Sequence, residues 1–295
     1  MCLAKTHVAC SLLGGCTLNS FTFKHLKNGS YKGWLVIDEF SLAEFRIWSM
    51  LYRLLDTCKF ILVGSFHQLP PVSGHQYCDV DLPEDCLEKS RMFHRLCGGN
   101  RIELKTCMRS DSTLYDWYTS LCPQGSRYET PFEEVLKEAR EFFNGTQNPD
   151  YTLCISHETR KEINRQANER LKPPEAIFVE VPKVRCPNAP QDFWIYPGQI
   201  LMAHVQVSKG SVKNGMFYTV KQIKNDYVSF ECGLTLPLKT VAKSFRLTHG
   251  LTISSSQGRT LPGVVEIRTR HKRLSRRHLM ICLSRGTEFQ KVQVR

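Results

Sequence analysis

The chain has 295 residues, 41% of them apolar and 23% charged, with no low-complexity tract or internal repeat, which excludes a fibrous or disordered chain and leaves room for two packed domains. Forty Lys and Arg against 28 Asp and Glu give a net charge of +12, the sign that suits a phosphate-backbone partner without requiring one. Thirteen cysteines with no CxxC pair and no Cys/His cluster read as reduced thiols of an intracellular compartment, and no apolar run is long enough for a membrane span.

In chain order, the first distinct strand is "GWLVIDEFS" (Gly33 to Ser41), a short apolar run ending on an acidic pair. "LAEFRIWSMLYRLLDT" follows and sets Phe45, Trp48, Tyr52 and Leu55 on one helical face, with Leu42 and Leu51 at its edges. "KFILVGS" (Lys59 to Ser65) is a second apolar run, broken by a glycine and followed by the stiff turn "FHQLPPVSG". Continuous apolar strands joined by a helix predict a parallel sheet covered on both faces, with a ligand crevice at the strand C-terminal ends.

Further on, "PFEEVLKEAREFFNG", "YTLCIS" and "HETRKEINRQANERL" read as helix, strand and helix, a second α/β layer. Between Gln191 and Phe245 the pattern changes to short β-rich runs with turn signals, among them "PGQILMAHVQV", "DYVSFEC" and "LTLPLK". "RLTHGLTISSSQG" and "RRHLMICLSRG" then return to the strand-and-loop style of the α/β body. The expected fold class is therefore α/β: residues 1–100 as the rest of a first domain, 101–190 with 246–295 as a second, and 191–245 as a small β-barrel insertion.

Asp38 and Glu39 are the strongest local signal of a site. A carboxylate at a strand end can hold Mg²⁺ while its neighbour activates water, although an acidic pair there can also simply cap the next helix. Gln68, on the loop leaving the next parallel strand, would reach the same crevice, or it belongs to an ordinary turn.

The ordered set "VIDEFS", "LVGSFHQLPPV", "LKTCMRSD", "LTISSSQGRTLPG" and "HLMICLSRGT" resembles superfamily 1 helicases, most closely the RecD-like and PIF-type DNA helicases. The resemblance covers nearly the whole chain and implies two RecA-like domains, the first truncated at its N-terminus. It implies ATP and Mg²⁺ as cofactors, with Asp38 as the magnesium-associated carboxylate, Glu39 activating water and Gln68 sensing the γ-phosphate. Arg109 and Arg285 become arginines that stabilise the departing phosphate. Gln257 and Gly258 would couple DNA contact to the nucleotide site. Thr6, His7, Gly15 and Thr17, in the segment "AKTHVACSLLGGCTLNSF", and Thr252 would touch single-stranded DNA. Gly15 and Gly258 also fit plain turns. The basic run from Arg259 to Arg277 could grip phosphates or form a solvated loop.

Three residues depart from the family pattern: Ser65 where an acidic residue is usual, and Ser254 and Asn19 where histidines are usual. The family's phosphate loop, GxxxxGK[ST], has no counterpart, since the sequence contains no Gly-Lys dipeptide. The resemblance places that loop upstream or on another chain. Two functions follow: an ATP-dependent DNA helicase of 5′-to-3′ polarity, or an inactive nucleic-acid-binding remnant of one.

Overall fold

The computed structural model describes residues 1–26, 31–71, 75–77, 80–83, 85–182, 188–205, 207 and 212–295, which divide into two units, Met1–Met108 and Arg109–Arg295.

The first unit is built on four parallel strands, β1 (Cys2–Ala4), β2 (Cys16–Thr17), β3 (Gly33–Asp38) and β4 (Cys58–Leu62), in the order β2-β1-β3-β4. Leu3, Leu35 and Ile37 are fully buried beneath helices α1 (His7–Leu12), α2 (Leu18–Phe21) and α3 (Phe45–Tyr52). The expected helix is shorter than its pattern, and its buried residues are Ile47, Trp48 and Leu51, with Phe45 and Tyr52 half-buried. The reason is the sheet: only the residues facing β3 and β4 can leave water, and the chain turns at Arg53 to bury Leu54 instead. A two-stranded ribbon, β5 (His75–Tyr77) and β6 (Val80–Leu82), and helix α4 (Arg91–Leu96) complete the unit.

The second unit opens with α5 (Ser112–Thr119) and α6 (Phe132–Phe142), then strand β7 (Tyr151–Cys154) and α7 (His157–Leu171). Its parallel sheet, in order β15-β7-β16-β17, combines β7 with β15 (Gly250–Thr252), β16 (Val265–Ile267) and β17 (Val292–Val294). Helix α7 buries a polar row, Arg160, Asn164 and Asn168. The two amides are satisfied: Asn164 receives the Gly250 N–H at 2.7 Å and donates to Gly250 O, and Asn168 exchanges two hydrogen bonds with the Trp194 backbone.

Between α7 and β15 come the ribbon β8 (Ile177–Val179) and β9 (Phe193–Ile195), strands β10 (Ile200–Ala203), β11 (Phe217–Lys224), β12 (Tyr227–Phe230) and β13 (Thr235–Pro237), helix α8 (Leu238–Ser244) and β14 (Phe245–Leu247). Asn225 and Asp226, with φ of 49° and 61°, make the tight turn between β11 and β12 that two left-handed residues allow. Among the described residues the expected barrel is a five-stranded antiparallel sheet, β13-β12-β11-β10-β14, whose end strands do not pair with each other. Its core stacks Phe230 on Phe245 at 5.1 Å.

Two segments differ from expectation. In the stretch expected to be β-rich, Leu238–Ser244 follows Pro237 as a helix, and "RRHLMICLSRG", expected as strand and loop, holds α10 (Arg276–Leu283), capped by the Ser275 hydroxyl and buried over five consecutive residues. Between β15 and β16 sits the single turn α9 (Ile253–Ser256). No helix among the described residues is long and apolar enough to cross a membrane.

Candidate functional site

In the first unit the register aligns Thr17 with Ala4 and Ala4 with Asp38 across three neighbouring strands, so Thr17, Thr6 and the acidic pair gather at one sheet end. Glu39 follows with φ 53° and ψ 45°, a left-handed conformation, and its N–H donates to Asp38 Oδ1 at 2.9 Å. That geometry answers the capping alternative in part, since the Glu39 side chain caps nothing while the Asp38 carboxylate stabilises the turn.

The loop after β4 returns over this turn. Phe40 N–H donates to Val63 O at 3.2 Å, Phe66 packs on Phe40 at 4.8 Å, and Ser41 Oγ donates to Gln68 Oε1 at 3.4 Å. Ser65, the departure from an acidic residue, accepts the His67 N–H at 3.1 Å and so still shapes the turn. Gly64 has φ +147°, and a Cβ there would lie 2.9 Å from Phe40 Cδ1. Gly64→Ala is expected to cost the first unit about 2 kcal/mol in urea denaturation, since a strained backbone and a clash with a packed ring coincide.

The segment expected to touch DNA carries its own structural duties. Thr6 Oγ1 caps α1 by accepting Ala9 N–H, Thr17 Oγ1 caps α2 by accepting Ser20 N–H, and His7 is the half-buried first residue of α1. Gly15 has a packing reason: a Cβ would fall 2.1 Å from Cys2 O on β1.

In the second unit, four expected site residues come together around the start of the "SRGT" segment. Arg109 is exposed and donates to Ser284 O at 3.3 Å, while Ser110 Oγ donates to Gly286 O at 3.0 Å. Arg285 is 4% exposed and donates to Ile281 O at 3.1 Å, Ser284 Oγ at 2.8 Å and Arg259 O at 3.3 Å. Its own carbonyl accepts Leu261 N–H at 2.9 Å, so the loop carrying Gln257 and Gly258 is tied to Arg285 twice. Gly258 has φ 70°, which favours glycine, and the buried Gln257 Nε2 has no acceptor among the described residues.

Thr252 stands apart. It is buried, pairs with Cys154 across β7, and its hydroxyl caps α9 and lies 2.7 Å from Ser255 Oγ; the exposed neighbour is Ser254. In the basic run, Arg268 pairs with Glu266 at 2.7 Å and Arg276 is held by the Arg127 and Thr130 carbonyls, leaving Arg270, Lys272 and Arg273 exposed.

Sequence reasoning missed the contact of Ser41 with Gln68, which spans 27 positions, and the buried Arg160 and Arg246. No group of three or more metal-ligating side chains occurs among the described residues.

No model of a known protein family matches the sequence, and no curated protein matches it. Solved structures do. A Pif1 helicase from Candida albicans superposes with a TM-score of 0.67 at 16% identity, covering 99% of this chain and 83% of that one. Pif1 from Bacteroides in complex with ADP-AlF3 and ssDNA gives 0.65 at 18% identity, covering 100% and 82%. The chain has the fold of a PIF-type superfamily 1 helicase. Within the Pif1 fold, the two parallel sheets are consistent with two RecA-like domains, and the strand ends described above are where such sheets present ligand-binding loops.

Proposed function

We propose that this chain is the motor body of an ATP-dependent DNA helicase that translocates 5′ to 3′ on single-stranded DNA and unwinds duplex. The observation that carries the reading is Glu39, held in a left-handed conformation directly after Asp38 and beside the Ser41–Gln68 contact. A non-glycine residue in that region costs about 1–3 kcal/mol and persists where function requires it. Further support comes from the Bacteroides Pif1 structures, which contain ssDNA and ADP-AlF3.

In this reading Glu39 activates water and Gln68 orients toward the terminal phosphate. Asp38, Ser41 and Gln68 offer only oxygen donors, a set that fits Mg²⁺, with Asp38 as its carboxylate ligand. The ion supplies charge neutralisation on the nucleotide phosphates. Arg109 and Arg285 supply positive charge to the departing phosphate, and Gln257 and Gly258 relay DNA contact to Arg285 through the bonds that tie their loop to it. Thr6, His7, Gly15, Thr17 and Thr252 lie along the DNA path. The phosphate-cradling loop comes from a further segment or another chain, which adds to the outer edge of β4, the end strand of the first sheet among the described residues.

Ser65, Ser254 and Asn19, at positions where the family carries acidic or histidine side chains, favour a second reading: a nucleic-acid-binding helicase remnant without turnover. Both readings predict oligothymidylate binding that weakens about 50-fold between roughly 50 and 200 mM salt if about four phosphates are contacted. Binding that ignores salt, or no binding, defeats both. ATP hydrolysis stimulated by single-stranded DNA, measured with a GxxxxGK[ST] segment joined to the chain, separates them: turnover supports the helicase, and its absence the remnant.

A further inference from the structure

A cavity of about 650 Å³ opens at the amino end of the second sheet, the end away from Thr252. Asp150, His249 and Gly263 line it just before strands β7, β15 and β16 begin. Tyr196 and Gln199, between β9 and β10, line it as well, so the cavity lies where the chain enters the five-stranded sheet and, at His249, where it has just left it. None of the residues expected to bind nucleotide or DNA lines it.

The rim carries one anion and one cation that do not meet. Asp150 and Arg170 are both exposed and both act on the half-buried His249, yet neither forms an ion pair among the described residues. Asp150 is seated: its Oδ2 accepts the Val264 N–H at 2.7 Å, and a Cβ at Gly263 would collide with that oxygen. Arg170 stands in the last turn of α7. Burial, and then the Arg170 charge, lower His249 against the opposing pull of Asp150, so the imidazole is neutral at pH 7 and adds no charge to the rim.

Below the rim is the Gln199 amide, in a residue 3% exposed. Its Nε2 donates to Trp194 O at 3.0 Å. Burial raises Tyr196 and the Gln199 side chain lowers it, the effect of a donor beside a phenol, so the nitrogen end of the amide faces that ring. The buried Oε1 is left with no donor among the described residues. Tyr151, Leu171 and Ile200 supply apolar surface around it.

An anion alone would meet the Asp150 carboxylate, and a cation alone would meet the Arg170 guanidinium. A hydrocarbon would leave both charges and Gln199 Oε1 unanswered. A ligand that carries both charges answers all three. We propose that this cavity binds a zwitterion: an α-amino acid with an apolar side chain, or a short apolar peptide with free ends. Its ammonium donates to Asp150 and Gln199 Oε1, its carboxylate accepts from Arg170, and its side chain lies along Leu171 and Ile200. The site requires neither nucleotide nor DNA and stands whether or not the helicase reading does.

The test is isothermal titration calorimetry of the full chain with L-leucine and with L-leucyl-L-leucine. N-acetyl-L-leucine, which lacks the ammonium, and L-leucinamide, which lacks the carboxylate, are each expected to bind about tenfold more weakly than L-leucine. Arg170→Gln is expected to weaken L-leucine about tenfold and to leave L-leucinamide unchanged, because that probe has no carboxylate to lose. Asp150→Asn keeps an acceptor for the Val264 N–H, and is expected to weaken L-leucine by a similar factor while leaving N-acetyl-L-leucine unchanged. Arg170 is exposed and Asp150→Asn preserves its backbone contact, so both variants are expected to melt with the parent. Tighter binding of the dipeptide assigns a peptide ligand, and tighter binding of L-leucine a free amino acid. A parent that binds neither, or variants and capped probes that bind as the parent binds L-leucine, overturn the site.

Discussion

Glu39→Gln is expected to lower DNA-stimulated ATP turnover by a factor of about 10² to 10⁴, the usual contribution of a positioned base, while changing oligothymidylate affinity less than about twofold. The amide keeps the size of the side chain and removes only its ability to take a proton. The backbone adds a second, independent expectation. Because Glu39 sits at φ 53°, Glu39→Gly relieves strain and is expected to raise stability by about 1 kcal/mol while abolishing turnover just as Gln does. A glycine variant that is no more stable than the parent would show that the turn is unstrained. Turnover retained in Glu39→Gln would remove the residue from the chemistry. Calorimetry and steady-state kinetics, measured with the phosphate-loop segment joined to the chain, check the two halves separately.

Trp48→Ala is expected to destabilise the first unit by about 3–5 kcal/mol in denaturant titration. The indole is fully buried and meets Phe93 edge-on at 5.2 Å, and Phe93 in turn packs on Phe40 and Phe66, which hold the acidic turn and the Gln68 loop. Loss of the indole therefore loosens the packing behind the candidate site as well as the core. Trp48 Nε1 has no acceptor among the described residues, so part of the ring's burial energy is offset by an unmade hydrogen bond. Trp48→Phe gives up some volume and also removes that orphan N–H, and is expected to cost under about 1.5 kcal/mol. A phenylalanine variant as unstable as the alanine one would mean that the N–H is satisfied after all.

Much of the first sheet was legible because its determinants are local. "WLVID" and "KFILV" are apolar runs ending on functional punctuation, and both are strands of a parallel sheet with Asp38 and the Gln68 loop past their C-terminal ends. The helix between them was legible in existence but not in facing, because its pattern of Phe45, Trp48, Tyr52 and Leu55 is compatible with more than one rotation, and the sheet selected Ile47, Trp48 and Leu51. "RRHLMICLSRG" deceived for a related reason: a segment buried all round has no amphipathic period to betray its helix.

By itself, then, the sequence determined the α/β class, the order of motifs and the identity of the chemical groups, since each is written in a few adjacent residues. Tertiary structure alone decided which of those groups meet. Gln68 is set against the acidic turn through Ser41, and Arg109 lies along Ser284. Such meetings depend on strand register and on how chain segments tens of residues apart share one sheet end, and no short stretch of sequence encodes that distance.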